Sequence, residues 1–91
     1  MNKPMIKNYD YRQLENGIRE LLLKTASSLD SEHVRMIHDL IEAAEYGEAY
    51  DLLSSVIAKA KVSISTDDYA RFGELGVMMG LDPEVWEKLR P

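Results

Sequence analysis

Proline occurs only at positions 4, 83 and 91 of this 91-residue chain. Every residue from Met5 to Asp82 therefore keeps its backbone N–H and an unlocked φ, so nothing forbids helix through the middle. The apolar residues use that freedom at one period. Tyr11, Leu14, Ile18, Leu21, Leu22 and Leu29 fall within an arc of about 100° when wound at 100° per residue. Val34, Ile37, Leu40, Ile41 and Ala44 line one face of the next segment, with Glu32, Arg35, Asp39 and Glu42 on the opposite face. Ala49, Leu52, Leu53, Val56, Ile57 and Ala60 form a third stripe, and Tyr69, Phe72, Leu75, Gly76 and Met79 a fourth. Val62-Ser63-Ile64-Ser65 alternates like a strand but is short and has no second strand to pair with. It is expected as an extended loop whose Val62 and Ile64 plug the core. The pattern specifies an all-α fold, a small bundle of four to five short-to-medium helices in one domain spanning 1–91. The first eight residues are expected as a flexible arm.

Punctuation agrees with the period. Ser27-Ser28-Leu29-Asp30 separates the first two helices, and Asp30 or Ser31 can cap the second. Gly47 is expected to end the second helix in the left-handed conformation, with the third running from about Glu48 to Lys61. So short a connection makes the two helices neighbours, as an αα-hairpin or a sharp corner. Ser65 caps the fourth helix, and Asp67 and Asp68 complement the positive end of its dipole. Gly73, Gly76 and Gly80 are costly in a helix unless another backbone comes close, so tight packing is expected there. Gly80-Leu81 reads as a glycine stop. Asp82-Pro83-Glu84 opens a short last helix carrying Val85, Trp86 and Leu89. Gly17 weakens the first helix by about 1 kcal/mol relative to alanine, and Leu23 points away from its stripe.

The residue types offer little chemistry. The absence of cysteine excludes disulfides, thiolate metal sites and cysteine nucleophiles. His33 and His38 stand about 140° apart around a helix, whereas a helical zinc pair needs a spacing of four with a glutamate directly after the first histidine. Carboxylate pairs such as Asp39 with Glu42 share one exposed helix face, not the two walls of a cleft that glycoside hydrolysis requires. Calcium loops, phosphate-binding glycine loops and nucleophile elbows are missing from the sequence. Met36, Met78, Met79 and Trp86 lie at helical spacing and are expected as core filler. A chain of this length buries about 60–65% of its unfolded surface, enough for one modest core but not for a deep substrate cavity as well. The expectation is a protein that is not an enzyme and needs no cofactor or metal. No apolar run approaches the roughly 18 residues of a membrane helix, and Met1 to Asp10 lack the features of a secretory signal, so the expected location is cytoplasmic.

Charge is the remaining signal. Eleven Lys and Arg face sixteen Asp and Glu, a net charge of −5, which disfavours direct binding to nucleic acid. The acidity is concentrated: Asp30, Glu32, Asp39, Glu42, Glu45, Glu48 and Asp51 are opposed over that stretch by Arg35 alone. Such a run can be an ordinary solvated face; it also suits a docking face for a basic partner. Tyr46 and Tyr50 flank the helix junction among these carboxylates, as interface anchors or as helix–helix packing. The candidate surface is Asp39, Glu42, Glu45, Tyr46, Glu48 and Asp51.

The run Ile41-Glu42-Ala43-Ala44-Glu45-Tyr46-Gly47-Glu48-Ala49-Tyr50-Asp51-Leu52-Leu53 joins an acidic helix end to an immediate apolar helix. Ile64-Ser65-Thr66-Asp67-Asp68-Tyr69, Glu74-Leu75-Gly76, Met79-Gly80-Leu81-Asp82 and Trp86 follow it. This order, over roughly residues 30–90, resembles the MafI-type immunity proteins of bacterial polymorphic toxin systems, a group that includes some contact-dependent growth inhibition (CdiI) immunity proteins. The resemblance implies a small cytosolic antidote that binds the C-terminal domain of a cognate toxin and blocks it without chemistry. It implies a basic nuclease as the partner, with EndoU-like RNases favoured, and says nothing of contact residues. The free protein is expected as a monomer or weak dimer. The competing expectation is an acidic helical interaction or regulatory module that dimerises or docks on a non-toxin protein.

Overall fold

The first apolar stripe closes into helix α1, Tyr11–Thr25, with Leu14, Ile18, Leu21 and Leu22 buried along it. The computed structural model describes residues 11–91; the arm expected over residues 1–8 lies outside the described residues. The Thr25 hydroxyl donates back to the Leu21 carbonyl at 2.9 Å as α1 ends, and a turn of 3-10 helix follows over Ala26–Ser28. Helix α2, Ser31–Glu42, starts where the Asp30 carboxylate accepts the Glu32 N–H at 3.1 Å. Helix α3 spans Tyr46–Ala60. Helix α4, Thr66–Met78, is capped by Ser65, whose Oγ accepts the Asp68 N–H at 3.0 Å. Helix α5, Glu84–Glu87, is a single turn begun by Asp82, whose carboxylate accepts the Glu84 N–H. No strand occurs among the described residues. Residues 62–65 are extended, Ile64 is buried and Val62 half-buried, so the loop plugs the core as the alternation implied.

Three helices end by one device. At Ala44, Lys61 and Gly80 the chain turns left-handed, with φ of 62°, 55° and 72°. In each case two N–H groups fold back on the last turn. At the first, Ala44 N donates to Ile41 O at 2.9 Å and Glu45 N to Leu40 O at 2.8 Å. Gly80 stops α4 as its sequence suggested. Gly47 does not stop α2: the left-handed residue is Ala44, and Gly47 already lies in the first turn of α3. The end of α2 is set by closure onto Leu40 and Ile41, and that closure takes the residue available there.

Helix α1 packs on α2, α3 and α4, α2 packs on α3, and α5 rests on α4 and α3. Leu14, Ile18, Ile37, Ile41, Tyr50, Leu53, Ile57, Phe72 and Leu75 make the sealed centre. Tyr50 belongs to it: its hydroxyl donates to the Phe72 carbonyl at 2.6 Å, and its ring meets Phe72 edge-on with centroids 5.6 Å apart. Gly17 is a packing position. A Cβ there would stand 2.9 Å from Leu75 Cδ2, so its lack of a side chain is what lets α1 approach α4. Gly73 and Gly76 likewise face Trp86. Several expected core residues are outside. Met36 is 48% exposed, and Ala44 and Ala60 are exposed too. Helix α2 is covered along a narrow stripe and fully buries only Ile37 and Ile41, which leaves Met36 on its flank.

Candidate functional site

The elbow between α2 and α3 carries the acidic residues, and its two backbone hydrogen bonds fix its shape. The six candidate residues divide into three groups. Asp39 projects from the outer side of α2, its side chain 73% exposed, with His38 Nδ1 3.8 Å away. Glu45, at the elbow, and Glu48 and Asp51, on the first turns of α3, are exposed. None of these three is in an ion pair among the described residues. Each step of three residues rotates by about 60°, so they spread along the solvent side of α3. Glu48 in the first turn also complements the helix dipole.

Glu42 and Tyr46 do something else. Glu42 Oε2 lies 2.6 Å from Arg19 Nη2 on α1, with His38 Nε2 at 3.7 Å. Arg19 also grips Glu15 Oε2, with Nε at 3.0 Å and Nη2 at 2.7 Å. The other Glu15 oxygen, Oε1, accepts the Tyr46 hydroxyl at 3.0 Å. The relay Glu42–Arg19–Glu15–Tyr46 therefore ties α1 to both helices of the hairpin. Hydrogen bonds from Arg19, then from Tyr46, hold the Glu15 carboxyl below the usual carboxylate range. The carboxylates of Glu15, then Glu42, raise Arg19. Desolvation, then donation to Glu15, raises the Tyr46 phenol. Charge counting placed Glu42 on a free acidic face; in the fold it is already matched to a cation.

Beside the relay lies a feature that sequence reasoning missed. Tyr11 and Leu14 of α1, residues 44–47 of the elbow, and Met79 and Leu81 beyond α4 line an open cleft of about 290 Å³. The Tyr11 and Tyr46 rings, both of them lining it, are in contact with centroids 6.3 Å apart and planes tilted by 35°. No local signal joins Tyr11 to Tyr46. The one available hint was the glycine stop at Gly80, since such stops commonly bring the following apolar residue back onto the helix. Among the described residues no group of three or more His, Asp or Glu side chains is placed to hold a metal ion, and no helix is long and apolar enough to cross a membrane. No family model, curated protein or solved structure matches the chain.

Proposed function

We propose that this protein is an immunity protein that binds the C-terminal domain of a cognate polymorphic or contact-dependent toxin, a basic nuclease with an EndoU-like RNase favoured, and neutralises it by covering its substrate groove or active site. The observation that carries the reading is the set of carboxylates Glu45, Glu48 and Asp51, unpaired among the described residues, around a hydrogen-bonded elbow, with Asp39 close by in sequence on the neighbouring helix. A ribonuclease presents a positive groove to RNA, and carboxylates held where phosphates would lie are its electrostatic complement. The resemblance to MafI-type proteins supplies the class of partner; the charge distribution supplies the face. Inhibition needs no reaction on this chain, only occlusion.

The test is co-purification with the C-terminal domain encoded beside this gene, followed by association kinetics against salt. A tight complex is expected, with an on-rate that falls steeply as salt rises. The double reversal Glu45→Lys/Glu48→Lys should weaken binding and protection and leave the helical circular dichroism unchanged. Protection that survives this reversal removes the assigned face. One observation favours a second reading, a helical module that self-associates through α1: Leu23 is 79% exposed there. Sedimentation showing a strict monomer at high concentration would exclude it.

A further inference from the structure

We infer that the cleft at the elbow is a socket for one arginine side chain presented by a partner protein. This deepens the reading above and takes the partner's class from it. Tyr11 from α1 and Tyr46 from α3, in contact with each other ring to ring, line the cleft, and Glu45 lines it too, without an ion pair among the described residues. Buried Leu14 supplies the floor and half-buried Met79 and Leu81 the remaining side.

Each part matches one part of an arginine. The tyrosine faces attract the guanidinium through their quadrupoles. The Glu45 carboxylate can accept two parallel N–H bonds from its planar fork. The apolar lining takes the methylene stem, which in any setting prefers to lie along apolar surface. The volume, about 290 Å³, admits one long side chain and no folded element. The site is also preorganised. The Tyr46 hydroxyl is held by Glu15, and Glu15 by Arg19, so the ring loses little freedom when a guest arrives. Carboxylates outnumber cations in the relay and on the rim: Glu15, Glu42 and Glu45 against Arg19, which selects a cation over an anion. Lysine, a compact and strongly hydrated point charge, fits less well than a planar, weakly hydrated guanidinium.

The test uses the full chain and small probes. Nα-acetyl-arginine amide and Nα-acetyl-lysine amide are titrated separately and followed by NMR. With the arginine probe, saturable shifts are expected at the Gly47 and Leu81 amides and the Tyr46 ring, with a midpoint on the order of 10 mM. Binding should be roughly tenfold weaker for the lysine probe and for Glu45→Gln. Tyr46→Phe, which keeps the ring but loses the anchor on Glu15, should weaken the arginine response and keep its preference over lysine. No saturable response, equal responses to both probes, or shifts centred elsewhere overturn the socket and leave the toxin-binding reading to the co-purification. A selective arginine response in a protein that captures no nuclease keeps the socket and overturns that reading.

Discussion

Replacing Gly76 by alanine puts a methyl group where the ring of Trp86 already lies. The added Cβ would overlap Cζ3 and Cε3 of that ring and stand 3.0 Å from the Tyr50 hydroxyl. Tyr50 cannot retreat, being fully buried and bonded to the Phe72 carbonyl. Trp86 can, because it sits on the one-turn helix α5, but it is only 8% exposed and leaving its place uncovers the side of α4. Overpacking costs about 1–3 kcal/mol, and losing a buried large aromatic outright about 3–5 kcal/mol. The better helix propensity of alanine returns about 1 kcal/mol. The overlap is too large for the ring to stay, so the larger cost applies. The net expectation is a loss of about 2–4 kcal/mol, which for a domain of this length lowers Tm by about 8–32 °C. Trp86 is the only tryptophan, so its emission reports the contact directly. Thermal melts by circular dichroism and fluorescence should show the lowered Tm and a red-shifted native emission. Gly47→Ala is the control. Nothing lies within 4 Å of a Cβ at that helical position, and the change should stabilise by about 0.5–1 kcal/mol. A Gly76→Ala protein that melts at or above the parent with unshifted emission would refute the claim that ring and helix backbone are in contact.

Two further outcomes follow from the backbone and the buried phenol. Ala44→Gly relieves a left-handed residue at the elbow and should stabilise by about 0.5–1 kcal/mol after the unfolded-state entropy of glycine is subtracted, read as a rise in Tm; a fall would mean that the turn carries no strain. Burial pushes the Tyr50 phenol well above its ordinary value of 10.0, so the folded state holds that proton where the unfolded state releases it. Its contribution to stability is therefore complete below about pH 10 and is lost as pH rises from there toward the raised folded value, at up to about 1.4 kcal/mol per pH unit. Tyr50→Phe should cost about 0.5–1.5 kcal/mol at neutral pH and flatten the alkaline limb; urea midpoints that fall in parallel with the parent above pH 10 would contradict this.

The helices, their order and most of their inner faces are local properties, which is why the sequence alone carries them. A 3.6-residue period, a Ser65 or Asp30 cap, and a glycine at position 80 act within one or two turns. Total acidity is equally a matter of composition. What the elbow does with that acidity is not. Glu42 is taken up because α1 brings Arg19 beside it, while Glu45, Glu48 and Asp51 meet no cation among the described residues. Tyr46 and Tyr50, four residues apart on one helix, part company because one turns to Glu15 and the other into the core under Phe72. Gly17 reads as a flaw in a helix until Leu75 is seen against it, and the left-handed turn falls on Ala44 because backbone closure, not side-chain preference, sets the end of α2. Winding a helix requires only neighbours in the chain. Pairing a charge, seating a ring or opening a cleft requires surfaces from distant segments to meet, and those meetings exist only once the core has formed.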